Sequence, residues 1–91
     1  MKITETDIKR QVKDYLNLRG WFNFPITQGL GSYKGLPDII ACKNGQVLFI
    51  EVKTSTGRQT IWQKVFQQKI EKARCKYILV RGIEDLQKRG I

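Results

Sequence analysis

The segment spanning residues 35–53 reads GLPDIIACKNGQVLFIEVK and carries the strongest fold signal in the chain. Two β-rich runs, residues 38–42 and 47–53, flank Asn44-Gly45, the dipeptide that most strongly favours a two-residue hairpin turn. The two runs are therefore predicted to pair as antiparallel strands.

The turn also fixes the predicted register of this hairpin. With Asn44 and Gly45 as the two loop residues, Asp38 is expected directly opposite Glu51. Because side chains alternate along a strand, Asp38, Glu51 and Lys53 share one face. Apart from this charged end, both faces are apolar, which is typical of a sheet covered on both sides by helices.

Two opposed carboxylates destabilise a sheet unless something compensates their charge. A divalent cation is the obvious compensation for Asp38 and Glu51, since carboxylate oxygens suit Mg²⁺ or Mn²⁺ and Mg²⁺ commonly takes one or two of them. Lys53 would then place an ammonium beside the metal, where it could orient water or stabilise developing negative charge.

Apolar spacing and turn residues predict the remaining elements of the chain. They are a helix over residues 5–18, an edge strand over 21–24, a glycine-containing loop over 27–36, a helix over 60–73, a strand over 77–80 and a last helical turn over 83–88. The strand, helix, strand order from residue 47 to residue 80 predicts a crossover between parallel strands.

Composition points to a polyanionic partner. The chain has 91 residues, with 17 Lys and Arg against 8 Asp and Glu and no His, for a formal net charge of +9. Such an excess favours binding to nucleic-acid phosphates. The lack of histidine excludes the commonest general base and the usual zinc ligand, which leaves carboxylates, lysines and a hard cation for any catalysis.

Two further features bear on location. Cys42 and Cys75 are too far apart for a metal-binding pair, and both are expected to be reduced core residues. No apolar run is long enough to span a bilayer, so no membrane association is expected. We expect a cytoplasmic protein, associated with the nucleoid of a bacterial or phage-infected cell.

The motifs resemble those of a known nuclease family. Gly35-Leu36-Pro37-Asp38 followed by Glu51-Val52-Lys53 resembles the PD-(D/E)XK signature, and its flanks resemble the virus-type replication-repair nuclease family, VRR-NUC. Those flanks are Glu5 in the first helix, Lys34-Gly35 before the Pro-Asp pair, and Gly57-Arg58 followed by Thr60-x-x-Gln63. The resemblance covers nearly the whole chain.

This resemblance implies a restriction-endonuclease-like α/β core, a central mixed sheet flanked by helices in the order α-β-β-β-α-β with a short C-terminal helix. It implies a single nuclease domain over residues 1–91 that cuts branched DNA with Mg²⁺ or Mn²⁺. Short members resemble Holliday-junction resolvases and are expected to act as homodimers. The family name suggests a phage or prophage origin and a role in DNA repair.

The resemblance also assigns roles to residues. Asp38 and Glu51 would be metal ligands, with the Val52 carbonyl as a third, and Lys53 the catalytic lysine. Glu5 and Gln63 would complete the site. Both of these have structural alternatives, because Glu5 also suits the helix dipole and Gln63 completes a capping box with Thr60.

Candidate DNA contacts come from the glycine-containing loop and from basic side chains further along. They are Gln28, Ser32, Lys34, Arg58 and Lys64, with Arg81 as a further basic candidate. Alternatively, each of these side chains is an ordinary solvated surface group that does not contact DNA. Trp62 and Phe66, at helical spacing, favour a core or dimer interface over base stacking.

Three functions compete at this stage. The leading one is a metal-dependent endonuclease acting on branched DNA. The second is a non-catalytic basic DNA-binding module, against which the set of Asp38, Glu51 and Lys53 argues. The third is a restriction-type or flap-directed nuclease, for whose base reading 91 residues leave little room.

Overall fold

The computed structural model describes residues 2–91 and contains one mixed four-stranded sheet with the strand order β1-β2-β3-β4. The predicted element order is confirmed. The elements are α1 (Glu5–Leu18), β1 (Phe22–Pro25), β2 (Ile39–Lys43), β3 (Gln46–Val52), α2 (Ile61–Lys72), β4 (Lys76–Val80) and α3 (Ile83–Gln87).

The central hairpin forms with the predicted turn. Asn44 and Gly45 take positive φ angles of 50° and 80°, the conformation that a two-residue turn of this type requires. Pairing runs from Lys43 opposite Gln46 to Ile39 opposite Ile50. The predicted register is therefore confirmed, although the ladder stops one pair short of Asp38 and Glu51.

The two outer strands complete the mixed sheet. β4 pairs in parallel with β3, from Leu48 opposite Lys76 to Val52 opposite Val80, which confirms the predicted crossover. β1 pairs antiparallel with β2 and forms the other edge. Pro25 ends β1, and an edge strand is where proline is tolerated.

One face of the sheet carries the core. Its inward side chains pack against α1 and α3 in a continuous buried cluster that includes Ile39, Ala41, Leu48, Ile50 and Val52 from the hairpin and Ile8, Val12, Leu16 and Leu86 from the helices. At about 25 cal/mol per Å² of apolar surface removed from water, this cluster is the main source of stability.

The opposite face is covered over only part of its width. Phe66 of α2 packs against Phe49 and Tyr77, with ring centroids 6.0 and 6.3 Å apart. Phe22 and Val47, nearer the β1 edge and the turn, remain exposed. The predicted sheet with helices on both sides is thus confirmed, with α1 and α3 on one face and α2, which contacts β4, on the other.

The helix ends and the two cysteines are determined by local features of the chain. The predicted capping box of Thr60 with Gln63 forms, and α1 begins with another, Thr4 with Asp7. Arg74 follows α2 with φ 63°, the left-handed conformation that usually selects glycine. Both cysteines are free, but Cys75 is exposed because it lies in the turn after α2, so its prediction as a core residue is wrong. None of the helices in residues 2–91 has the length and apolarity to cross a membrane.

Candidate active site

Glu51 is a carboxyl group enclosed by protein. It lies near the end of β3 with only 1% of its surface exposed. Gln63 Nε2 donates to its Oε2 at 3.0 Å, and Lys53 Nζ lies 3.7 Å from the same oxygen. Tyr77 donates its hydroxyl to Oε1 at 3.5 Å. A buried carboxyl with this many polar neighbours is typical of a functional site.

Asp38 lies in a bend immediately before β2. Its own N–H donates to the Ile50 carbonyl at 2.9 Å, and its Oδ2 accepts the Val52 N–H at 2.7 Å. Lys9 of α1 approaches Oδ1, with its Nζ at 3.1 Å. These contacts fix the carboxyl of Asp38 at the end of the hairpin. The prediction that Asp38 itself pairs with Glu51 in the strand ladder is wrong, because the ladder ends at Ile39.

The two carboxyl groups act on each other. The pKa of Glu51 is raised from its ordinary value of 4.5 to about 8, first by burial and then by the charge of Asp38 and a side-chain hydrogen bond with it. Lys53 opposes the rise, and the charge of Glu5 adds to it. The expected meeting of Asp38 and Glu51 therefore does occur, through the bend rather than through strand pairing.

Glu5 and Gln63 reach the same region from two helices. Glu5 is half-buried in the first turn of α1, and its charge is felt at Glu51. Gln63 uses its Nε2 for Glu51 while its Oε1 accepts the Thr60 N–H at 2.8 Å. The capping alternative for Gln63 is thus correct, and the contact with the carboxyl is present at the same time.

The backbone of Val52 points towards Asp38. In a strand, the N–H and C=O of one residue project to the same side. Since the Val52 N–H donates to Asp38, the Val52 carbonyl also faces that side of β3. This orientation places a neutral oxygen on the same side of β3 as Asp38.

Two contributors to the site were not found from the sequence. Lys9 pairs with Asp38, and its position four residues after Glu5, on the same side of α1, was the available signal. Tyr77 contacts Glu51 from β4 and receives a hydrogen bond from Gln59 Nε2 at 3.2 Å. Burial and the neighbouring charge of Glu51 raise the pKa of Tyr77 well above its usual range, so Tyr77 acts as a hydrogen-bond donor.

The predicted DNA contacts in the glycine-containing loop hold that loop together. Gln28 Nε2 donates to the Leu36 carbonyl at 2.7 Å, and the Ser32 hydroxyl donates to the Gly29 carbonyl at 2.6 Å. Lys34 lies over the Trp62 ring, with its Nζ 4.6 Å from the ring centroid. All three side chains are exposed, so they remain on the surface beside the site.

Arg58 and Lys64 lie elsewhere, in a depression of about 590 Å³ at the start of α2. Both are exposed. Arg81 lines the same depression, but its guanidinium donates to the Thr54 and Gly57 carbonyls at 2.5 and 2.7 Å. Arg81 therefore fixes the loop after β3, a role that the sequence did not indicate.

The oxygen atoms of the site suit a cation that takes few protein ligands. Within residues 2–91, no group of three or more acidic, cysteine or histidine side chains converges closely enough to hold a metal ion by itself. Mg²⁺, however, commonly takes only one or two carboxylates and completes its shell with water and substrate oxygens. Asp38 and Glu51, with the Val52 carbonyl, fit that smaller requirement.

The fold and this clustering of carboxyl groups and lysine define a nuclease of the PD-(D/E)XK type. A solved structure described as "VRR_NUC domain" matches with a TM-score of 0.80 at 18% identity, over 94% of this chain and 94% of that chain. The family model described as "Archaeal holliday junction resolvase (hjc)" matches residues 3–75. The chain belongs to this resolvase family. No curated protein matches its sequence.

Proposed function

We propose that this protein is a divalent-metal-dependent endonuclease that hydrolyses phosphodiester bonds in branched DNA. The observation that carries the proposal is the buried carboxyl of Glu51 beside Asp38, with the Lys53 ammonium 3.7 Å from Oε2. Membership of a resolvase family supports the same conclusion.

The need for a cation follows from the electrostatics of the pair. A carboxyl with a pKa near 8 is costly to ionise, and the neighbouring charge of Asp38 is part of that cost. Asp38, Glu51 and the Val52 carbonyl would hold Mg²⁺ or Mn²⁺. When bound, the ion would supply Lewis-acid polarisation of the phosphate and compensate both carboxylates.

The surrounding side chains would position the reactants. In hydrolysis, the attacking water forms a bond from its oxygen to phosphorus and gives up a proton, while the bond from phosphorus to the leaving sugar oxygen breaks and that oxygen takes up a proton. The Lys53 ammonium would stabilise the negative charge that grows on the phosphate oxygens. Gln63 would hold Glu51 in place, and Glu5, half-buried in α1, would orient the water.

Branched DNA is the proposed substrate class, and a homodimer the proposed acting form. A net charge of +9 supports binding of the phosphate backbone. A two-fold dimer would present two equivalent sites, which matches the approximate symmetry of a four-way junction. Lys34, Ser32 and Gln28 on the loop and Arg58 and Lys64 near α2 are the proposed phosphate contacts.

A purely DNA-binding role is the main alternative. It gives no reason for enclosing a carboxyl at 1% exposure against a second carboxyl, since such a pair weakens the metal-free fold. A restriction-type or flap-directed nuclease would use the same chemistry on another substrate. The choice of DNA substrate in the experiment below separates these possibilities.

The test uses labelled four-way junction, flap and linear duplex, each with Mg²⁺, Mn²⁺ or EDTA. Asp38→Asn is compared with Asp14→Asn, a matched change at an exposed position on α1. We expect metal-dependent paired cuts in the junction that Asp38→Asn abolishes and Asp14→Asn retains. Binding without cutting under every metal condition would contradict the proposal, and preferential cutting of flaps would contradict its junction specificity.

A further inference from the structure

A cleft of about 500 Å³ opens between the glycine-containing loop and α2. Tyr33, Trp62 and Phe66 form its aromatic surface, and Lys34 and Lys69 also line it. We call these five residues the aromatic cleft. None of them takes part in the carboxyl cluster described above.

Two of the three aromatic rings are open to solvent. Trp62 is 51% exposed and Tyr33 57% exposed, whereas Phe66 is buried beneath them. The Tyr33 and Phe66 rings pack edge to face with centroids 6.0 Å apart, so the cleft has a firm base. Large aromatic side chains presented side by side on a surface are typical of a binding site.

A lysine side chain contacts each of the two exposed aromatic residues. Lys34 Nζ lies 4.6 Å from the centroid of the Trp62 ring, and Lys69 Nζ donates to the Tyr33 hydroxyl at 3.0 Å. Exposed aromatic faces flanked by cations are the combination that binds single-stranded nucleic acid, because bases stack on the rings while lysines contact the phosphates.

We propose that the aromatic cleft binds an unpaired nucleobase of DNA by stacking on Trp62, with Lys34 and Lys69 contacting the adjoining phosphates. Lys34 would leave the indole and turn to phosphate as the base takes its place. The inference rests on the proposed function for its choice of DNA as the ligand.

The cleft adjoins the candidate active site. Gln63, which donates to Glu51, is the next residue after Trp62. Gly35 packs against the backbone of Trp62, which joins the loop to the start of α2. A strand whose base lies on Trp62 would therefore pass close to Glu51. Unpaired bases near a branch point are the feature that such a subsite would recognise.

A second copy of the chain is the other occupant that an aromatic surface could receive. Two observations disfavour it. The cleft contains two lysines, and the whole chain carries a net charge of +9, so self-association here would bring like charges together. Nucleic acid complements the cleft in both respects. Its flat bases can stack on the aromatic rings, and its negative phosphates can pair with the lysines.

The experiment measures equilibrium binding by fluorescence anisotropy in EDTA, where no cutting occurs. The probes are a labelled duplex with a central run of unpaired thymines and the matched fully paired duplex. Trp62→Ala is compared with Trp62→Phe and with Ile61→Ala, an exposed neighbour on the same helix. Thermal melts confirm that all variants fold, and light scattering records their masses.

We expect Trp62→Ala to weaken binding of the unpaired probe by between about fivefold and about a hundredfold, with paired-duplex affinity changed by less than about twofold. Trp62→Phe should retain most of the affinity, and Ile61→Ala should retain all of it. Equal losses on both probes, or no loss, would overturn the inference. A reduced mass for Trp62→Ala would assign the cleft to self-association and overturn it as well.

This test is independent of catalysis. Trp62-dependent binding by a protein that cuts no DNA would leave the base-binding subsite standing and refute the nuclease proposal. Metal-dependent cutting that is indifferent to Trp62 would do the reverse.

Discussion

The side-chain amide of Gln63 donates a hydrogen bond to Oε2 of Glu51 at 3.0 Å while its oxygen accepts the backbone N–H of Thr60 at 2.8 Å. One side chain thus caps α2 and restrains the buried carboxyl. The start of α2 and the position of the Glu51 carboxyl are therefore coupled, because both hydrogen bonds depend on the same side-chain amide.

Two substitutions separate the capping of α2 from the restraint of Glu51. Thr60→Ala removes the hydroxyl that accepts the Gln63 N–H and leaves the contact with Glu51, whereas Gln63→Ala removes that contact and the side-chain oxygen that accepts the Thr60 N–H. Each should reduce the free energy of unfolding by about 1 kcal/mol in urea melts. Only Gln63→Ala should weaken Mn²⁺ binding, by about tenfold in calorimetry, because residues that orient a metal ligand contribute on that scale. Equal Mn²⁺ affinities in the two variants would contradict a positioning role for Gln63.

The raised pKa of Glu51 predicts a pH dependence of stability in the metal-free protein. The folded chain holds a proton on Glu51 up to a pH of about 8, whereas the unfolded chain loses it at its ordinary pKa of 4.5. The folded state binds more protons between these values, so its stability falls as pH rises from about 5 to 8, by at most about tenfold in the unfolding constant per pH unit.

Glu51→Gln provides the matched control for this prediction. The amide has the same shape and does not titrate, so its unfolding free energy should vary less over this pH range and exceed that of the original protein at pH 8. Parallel pH profiles from urea melts of the two proteins would show that Glu51 does not cause the dependence.

Much of the fold could be predicted because its signals are local. Asn44-Gly45 determines the hairpin and its register, and Thr60 with Gln63 marks the start of α2. What escaped prediction depends on tertiary placement. Asp38 leaves the ladder because its N–H and its side chain take backbone partners, at Ile50 and Val52, which the strand pattern does not encode.

The site itself shows the same division. The approach of Asp38 to Glu51 could be predicted from the turn alone, because the turn brings the bend at Asp38 to the end of β3. Lys9 and Tyr77 come from α1 and β4, and their approach depends on how those elements pack on the sheet. A lysine on a helix is ordinarily a solvated side chain, and only the spacing of four residues from Glu5 distinguishes Lys9 from Lys13 in the sequence.

Gly35 is expected to be the least replaceable glycine of the loop. It has φ +83°, and a Cβ at this position would overlap the backbone carbonyl of Trp62. Gly35→Ala should therefore lower the free energy of unfolding by about 2–4 kcal/mol. Gly31 has φ +86° but open space around it, so Gly31→Ala should lower the free energy of unfolding by only about 1 kcal/mol. Gly29 has neither a positive φ nor a close neighbour, so Gly29→Ala should lower it by about 0.5 kcal/mol or less.

Urea melts of the three alanine variants test this ranking. If Gly31→Ala and Gly35→Ala were equally destabilised, the positive φ angle alone would explain both losses. The close approach of the loop to α2 would then make no contribution to the free energy of unfolding.

Lys53→Ala separates catalysis from binding. The ammonium lies 3.7 Å from Glu51 and is nearly buried, so its proposed role is at the reacting phosphate rather than in general attraction of DNA. We expect loss of cutting with junction affinity in EDTA reduced by less than about threefold. Full cutting activity in this variant would remove the lysine from the mechanism. Lys72→Ala, at an exposed basic position outside the proposed DNA contacts, is the matched control and should still cut.

Lys9 and a divalent cation are expected to compete for Asp38. The Lys9 ammonium lies 3.1 Å from Oδ1, so a metal ion at that oxygen must displace it and also bear its repulsion. Lys9→Met keeps much of the aliphatic side chain and removes the charge. Because Lys9 is 40% exposed, the lost ion pair should change stability by no more than about 1 kcal/mol.

The expected result is tighter binding of Mn²⁺ by Lys9→Met, by about tenfold in calorimetry. Lys13→Met, the same change one helical turn further along α1, controls for the loss of one positive charge from the chain. A gain confined to Lys9→Met would show that the ion pair holds the metal-free site closed at Asp38. If Mn²⁺ bound more weakly to Lys9→Met, Lys9 would instead be holding Asp38 in the orientation that the metal requires, and the idea of competition would fail.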